Sequence, residues 1–416
     1  MGVFYLVLTI LLAGSTLTAL VPGRALGWAV PIWFLISAAT NELALWGLLS
    51  HLLLLALGLA LLDPGDGLVQ AGLCLLLLST LGKLILLKRQ LETGHQLERA
   101  LQVGLGTDYP LAIAGDRRRH LSWQIFARDW LRPVSFRRYG VNRDRDIAYG
   151  DAGKRNLLDV YTGSTGGSGR PVLLQIHGGA WFLGHKGEQA LPLMHHMARL
   201  GWVVVAINYR LAPRATFPDP IVDVKKAIAW IRDNIEQWGG NPDFIAVTGG
   251  SAGGHLAALT ALSGNYAPWQ PGFETADTRV QAAMPLYGVY DFCDRAGIRH
   301  GTRIDNYVLE QLMKTTPEQD PETYDLASPV CWISDAVPPM FYLQGTHDTL
   351  VWVEEARRFI AELSAVSAQP LVYAELAGAQ HAFETVHSMR TSHYLNAAAW
   401  WLEWAYGDWC STRPQD

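Results

Sequence analysis

Cysteine is scarce: four residues in 416, with Cys74 inside an apolar run and Cys293, Cys331 and Cys410 widely separated. None stands in a CxxC or similar spacing, so neither a disulfide framework nor a cysteine-built metal site is expected, and cysteine usage favours a reducing compartment. Charge is missing from one end. Between Met1 and Leu87 the only charged side chains are Arg24, Glu42, Asp63, Asp66 and Lys83, whereas the remainder has the mixture of a soluble globular protein. The net charge of -5 averages two different materials. No concentrated basic face of the kind nucleic acid requires is visible, and no nucleic-acid partner is expected.

What the uncharged end does contain is long apolar runs. A bilayer core of ~30 Å takes ~20 mostly apolar residues in helix, and residues 3–21, 42–62 and 68–87 each qualify. The first run lacks the basic start of a cleavable signal peptide and is followed by further runs, so it reads as a span. Residues 28–40 are apolar but short and contain Pro31; they suit an interfacial helix, a re-entrant one, or the start of a longer second span. Basic residues near span ends are retained on the cytoplasmic side. Arg24 follows the first span, Asp63 and Asp66 separate the second and third, and Lys88, Arg89 and Arg99 follow the third. That alternation puts the N-terminus outside and everything after Leu87 in the cytoplasm. The expected organisation is a multi-pass membrane region over residues 1–90, a basic and aromatic linker or cap over 91–145, and a catalytic domain over 146–410. From Asp116 to Arg155 eleven Lys/Arg face five Asp, interleaved with Trp123, Phe126, Trp130 and Phe136. Such a stretch either lies on anionic headgroups or forms a solvated helical linker.

After Arg155 short β-branched runs alternate with amphipathic stretches, the pattern of a mostly parallel sheet flanked by helices. Strands are expected at residues 172–176, 203–209, 244–248, 281–286, 340–344 and 371–375, with 158–161 as an antiparallel leading strand. A helix is expected over 221–238, where Ile221, Val224, Ile228, Ile231 and Ile235 recur at i+3 and i+4.

The strongest chemical signal is Gly249-Gly250-Ser251-Ala252-Gly253, directly after one expected strand and before a helical run. A sharp strand-to-helix turn crowds the backbone around its central residue, so glycines two before and two after relieve the clash while the Ser251 hydroxyl stands clear of the sheet. A nucleophilic serine also needs donors for the developing oxyanion. His177-Gly178-Gly179-Ala180-Trp181 follows the strand at 172–176, and its small residues let Gly178, Gly179 and Ala180 turn amides toward that charge, joined by the amide of Ala252. His177 is expected to brace this loop rather than to move protons.

His177 to Trp181, Tyr209-Arg210-Leu211-Ala212-Pro213 with Phe217-Pro218, and Gly249 to Gly254 together resemble the hormone-sensitive-lipase and arylacetamide-deacetylase branch of α/β-hydrolase esterases. The resemblance covers about residues 146–406 in order and spacing, and the membrane segment lies outside it. It implies the α/β-hydrolase fold and a serine esterase working without metal or cofactor. Two departures stand out: Ala180 replaces the third glycine of the commoner HGGG form, and Gly250 stands where that branch often has an acidic residue. The HGGAW form and Gly345-Thr346-His347-Asp348 also occur in feruloyl-esterase-like and other small-ester hydrolases, so the substrate does not follow from the resemblance.

In such a fold the acid and then the histidine come after the nucleophile. Asp348 ends the strand at 340–344 through a short turn, and His381 follows the strand at 371–375 through Ala377-Gly378-Ala379-Gln380. His347 adjoins Asp348, His387 and His393 fall in the terminal helical stretch, and His255 lies inside the helix after Ser251, so each is placed worse than His381. Trp181, Phe182 and Tyr209 are candidates to wall an apolar acyl site, with core packing the alternative for Tyr209. Residues 292–327 suit a lid or an inert insertion. Three functions fit: hydrolysis of small-molecule or lipid esters, amidase, deacetylase or acyltransferase chemistry with the same three residues, and ligand binding on a hydrolase fold without catalysis. The last would be expected to have lost Ser251, Asp348 or His381. The spans carry none of these residues, so the catalytic unit is expected to fold when the chain is cut between residues 87 and 116. Oligomeric state, acyl length and alcohol group are not written in the sequence.

Overall fold

The seven runs expected to be strands all enter one sheet, joined by an eighth that the sequence did not announce. In chain order they are β1 (Val141–Ala148), β2 (Leu157–Gly163), β3 (Arg170–Ile176), β4 (Val203–Ile207), β5 (Gly240–Gly250), β6 (Ala282–Leu286), β7 (Met340–Gly345) and β8 (Leu371–Leu376), and their spatial order is β1-β2-β4-β3-β5-β6-β7-β8. β2 runs opposite to the other seven strands, pairing antiparallel with β1 and β4, as expected of the leading strand. This computed structural model describes residues 1–23, 29–134, 139–164, 166–299 and 303–413; the side chains of 128, 129 and 303–306 are not described. Arg24, Trp28 and Phe136, used above, lie outside the described residues.

The central strands are apolar on both faces because both faces are covered. On β4, Val203, Val205 and Ile207 enter one core layer while Val204 and Ala206 enter the other, all fully buried. Each of these valines and the isoleucine, removed from water, stabilises the fold by ~1.5–3 kcal/mol. The first layer is closed by α8 (Asp219–Asn234), α9 (Ala252–Ser263), α10 (Arg303–Met313), α11 (Pro321–Ala327) and α12 (Val353–Ser364). Leu309, Leu312 and Met313 of α10 and Tyr324 of α11 are buried here, so this part of segment 292–327 is tied into the core.

The opposite layer is closed by α7 (Leu191–Arg199), α13 (Met389–Ser411) and a helix from the N-terminal region. That region holds α1 (Gly2–Leu20), α2 (Val30–Glu42), α3 (Ala44–Leu61) and α4 (Gly67–Leu105). Of these, α1, α3 and α4 are long and apolar enough to cross a bilayer, with 19, 18 and 39 residues. They form a bundle: a Cβ on Gly2 would meet Asp66, and one on Gly82 would meet Thr16, so α1 runs parallel to α4. Gly47 against Lys83 and Gly58 against Tyr5 set α3 antiparallel to both. Polar side chains join the three inside: Thr16 Oγ1 and Ser79 Oγ are 2.8 Å apart, and His51 Nε2 meets Ser79 Oγ at 2.7 Å, as expected where water cannot compete.

α4 is ~58 Å long at 1.5 Å per residue, about twice a bilayer core. Its second half leaves the bundle and packs on β8 and α13. Gly94 and Gly104 permit this, since a Cβ would meet His393 at 2.6 Å in the first case and the Leu371 carbonyl at 2.8 Å in the second. Leu97, Leu101, Tyr109 and Ile113 are buried in the same layer as Phe341, Val372 and Trp401. Residue 90 therefore falls in mid-helix, and Leu97, Leu101, Tyr109 and Ile113 pack into the hydrolase core. Farther on, two single turns, α5 (Gly115–Arg118) and α6 (Ala127–Trp130), precede β1. Arg117 is paired with buried Glu403 of α13 (Nη2–Oε1 2.9 Å), and Trp123 stacks on Trp400.

The bundle end that carries Leu20, Ala44 and Leu87 meets the C-terminal edge of the sheet. Ala19, Ala44, Leu86, Leu87 and Met389 form one buried cluster. α2, only 13 residues and ~20 Å long, cannot span; it lies between this end of the bundle and the loops after β7 and β8.

Candidate active site

Ser251 stands at the turn between β5 and α9 with φ 59° and ψ -122°, a conformation L-residues avoid. Two contacts hold it there: its N–H donates to the Leu286 carbonyl at 3.0 Å, and its carbonyl accepts from the His255 amide at 2.9 Å. The glycines are sterically required, since a Cβ on Gly253 would lie 2.2 Å from the Ile176 carbonyl oxygen. Gly250 has a similar reason: a Cβ there would meet the Tyr287 hydroxyl at 2.4 Å. A phenol thus fills the space beside the position where an acidic residue is common.

The loop after β3 lies directly against this turn, with a Cβ on Gly178 reaching Ser251 Cβ at 3.2 Å. Gly179, Ala180 and Trp181 have φ of 113°, 53° and 61°, a left-handed run in which two residues are not glycine. The Gly178 amide donates to Gln189 Oε1 at 2.6 Å. His177 braces the loop: Nδ1 meets the Gly178 carbonyl at 2.8 Å, the ring stacks on Tyr209 at 4.3 Å, and burial drives its pKa down to about 4. Tyr209 is fully buried beneath, its hydroxyl donating to the His177 carbonyl at 2.9 Å, so it supports the loop instead of lining a pocket. Trp181 is buried with Nε1 on His255 Nδ1 at 3.2 Å, whereas Phe182 stays half-buried at the rim.

Asp348 and His381 come together as the chain order implies. His381 Nδ1 donates to Asp348 Oδ2 at 2.7 Å, with both side chains buried. The other Asp348 oxygen accepts the amides of Leu350 and Val351 at 2.9 and 2.8 Å, while Gln344 Nε2 reaches Oδ2 at 3.1 Å. With four donors the carboxylate is fixed in place. His347 turns away, its Nδ1 meeting the Ala19 carbonyl at 3.3 Å, and His255 is enclosed beneath the turn by Trp181 and Phe292.

Several neighbours were not anticipated. Tyr287, at φ 37°, lays its ring 4.5 Å from His381 and donates to the Glu384 carboxylate. Burial pushes the Glu384 carboxyl up, against the opposing pull of that hydrogen bond. Gln380 Oε1 accepts the amides of Thr349 and His381, at 2.8 and 2.9 Å, and so ties the acid loop to the histidine loop. Phe34 of α2 sets its ring edge-on to His381 at 6.0 Å. A tyrosine after a strand or a phenylalanine in an apolar run carries no such signal in sequence. Among the described residues no cluster of three or more His, Cys, Asp or Glu is arranged to hold a metal.

The BD-FAE family matches residues 158–363, which run from β2 through α12. The chain is 46% identical over 340 residues to a protein of Mycobacterium tuberculosis named "Probable carboxylic ester hydrolase LipM", covering 79% of this chain and 76% of that one. It is 44% identical over 277 residues to "Esterase LipQ" of the same organism, covering 66% of this chain and 65% of LipQ. A solved carbohydrate esterase from gut microbiota superposes with a TM-score of 0.55 at 20% identity, over 65% of this chain and 97% of that one, which shows the shared fold. The chain belongs to the carboxylic ester hydrolases of the α/β-hydrolase fold.

Proposed function

We propose that this enzyme cleaves carboxylic esters through an acyl-enzyme on Ser251, with His381 as base and Asp348 as the group that holds it. The observation carrying this reading is the buried 2.7 Å contact between His381 and Asp348, together with the strained backbone of Ser251 at a strand-to-helix turn. Ser251 Oγ attacks the ester carbonyl while His381 Nε2 takes its proton, then returns it to the departing alcohol; water repeats the sequence to release the acid. Asp348 keeps the second imidazole proton on Nδ1 and stabilises the imidazolium that forms. The developing oxyanion falls to the amides of Gly179, Ala180 and Ala252, since that of Gly178 is engaged by Gln189. One such donor is typically worth ~3 kcal/mol of transition-state stabilisation. Ser251→Ala should abolish ester turnover and labelling by a fluorophosphonate, and His381→Ala should lower turnover to a comparable floor. Continued labelling of Ser251→Ala would move the nucleophile elsewhere.

The same reading extends to the bilayer. The three spans lie within residues 1–90, the rest of α4 and the turns after it cap the sheet, and the domain that begins with β1 carries the chemistry on the cytoplasmic side. The lengths and apolar surfaces of α1, α3 and α4 support the spans, and Lys88, Arg89 and Arg99 support the orientation. The ester can be a small molecule or a lipid.

A further inference from the structure

The two sides of α2 differ. Toward the hydrolase it turns Phe34, Ser37 and Glu42; away from it, Ile32, Leu35 and Ile36 are 56%, 63% and 41% exposed. An exposed face of this kind beside three span-length helices has lipid as its fitting solvent. The inner side is fastened to the loop that carries His381. Gln380 Nε2 donates to Ser37 Oγ at 3.4 Å, Ser388 Oγ donates to Glu42 Oε2 at 2.7 Å, and Arg390 Nε lies 3.2 Å from Glu42 Oε1. Phe34 then meets the imidazole itself. Only one helix, ~10 Å across, lies between His381 and the exposed face of Ile32, Leu35 and Ile36.

We propose that α2 is the bilayer-side wall of the ester site, that Phe34 contacts the substrate chain, and that the substrate is a long-chain ester entering sideways from the leaflet. This rests on the assignment of Ser251, His381 and Asp348 made above. The ester group has only to rise to the headgroup level, where the C-terminal edge of the sheet waits, while its chain stays in lipid past Ile32 and Leu35. A short soluble ester would gain nothing from such a wall. Selectivity for chain length therefore belongs to a residue far from the hydrolase sequence motifs.

The test uses the full chain in phosphatidylcholine nanodiscs and a hexadecyl fluorophosphonate with a diazirine at its sixth carbon. Ser251 Oγ displaces fluoride, and photolysis then fixes the chain to whatever lies beside it. Photo-adducts within residues 30–42 are expected; adducts confined to residues 292–327 or 182–183 would overturn the proposal. Failure to label Ser251 at all would instead overturn the nucleophile assignment beneath it. In a second measurement, Phe34→Trp should lower the ratio of kcat/KM for a vesicle-borne long-chain ester to that for p-nitrophenyl acetate at least tenfold, with Phe34→Leu intermediate. Because both rates come from one preparation, lost folded protein cancels, and an unchanged ratio in both variants would refute the role of Phe34.

Discussion

The indole N–H of Trp181 can only donate, so His255 Nδ1 accepts at 3.2 Å and the ring proton sits on Nε2, 2.8 Å from the Ala327 carbonyl. Burial holds the pKa down to about 4, and a second proton would also leave Nδ1 facing a donor. His177 is lowered likewise, through burial. The unfolded chain, with imidazoles near 6.5, therefore takes up protons first as pH falls. Stability from these two residues is full above about pH 6.5 and drains as pH falls toward about 4, by up to ~1.4 kcal/mol per unit for each group. The melting temperature should fall between pH 6.5 and 5, and His255→Gln should flatten that slope; an equal slope in the variant would place the loss elsewhere. Tyr287 is a second residue whose removal is measurable. Tyr287→Phe strands the buried Glu384 carboxyl without its donor and should cost about 1–3 kcal/mol of stability, read as a lower denaturation midpoint.

Strands and elbow were legible in the sequence because their signals are local. A run such as Val203-Val204-Val205 reads as a buried strand, and the glycines around Ser251 are demanded by contacts within one turn. β1 escaped notice for a physical reason: its Arg143, Asp144, Arg145 and Asp146 have the charge of an edge strand, kept from pairing with another chain. Arg143 Nε donates to Asp159 Oδ2 at 2.8 Å, and Lys186 Nζ meets Asp159 and Asp146 at 2.9 and 2.6 Å, so part of the basic stretch after Asp116 is spent on ion pairs. Asp348 and His381 were legible from chain order, whereas Tyr287, Glu384 and Phe34 depend on which surfaces meet. The reach of α4 was also hidden, because Leu97 and Leu101 continue the apolar pattern of the helix bundle while their partners are β8 and α13. A cut between residues 106 and 115 should accordingly yield an aggregating fragment, while a cut before Gln90 should preserve folding. Leu101→Ala should cost about 2–5 kcal/mol in either the full chain or the fragment cut before Gln90. Soluble, cooperative unfolding of the shorter fragment would contradict this account of α4.

Across the whole molecule the three span-length helices and the hydrolase form one body, joined by α4, by the cluster around Met389, and by Glu42 with Arg390. Arg390 is fully buried, so Glu42→Ala would leave it with the Ala377 carbonyl but no anionic partner and should cost about 3–5 kcal/mol, measured as a drop in melting temperature of the detergent-solubilised enzyme. Membranes washed at alkaline pH should retain the full chain, and a reporter fused at the C-terminus should behave as cytoplasmic; an exterior signal would reverse the orientation while leaving the chemistry intact. The Ala377 amide donates to Gln96 Oε1 at 3.3 Å across 281 residues of sequence. During synthesis, then, α4 leaves the ribosome long before β8 and α13 exist. On the membrane assignment proposed above, its first half settles in the bilayer at once, but the face bearing Leu97 and Leu101 must wait, uncovered, until the last strand has been made. The late arrival of that strand makes the unfinished chain most vulnerable to aggregation at the membrane surface, where many nascent copies are held side by side.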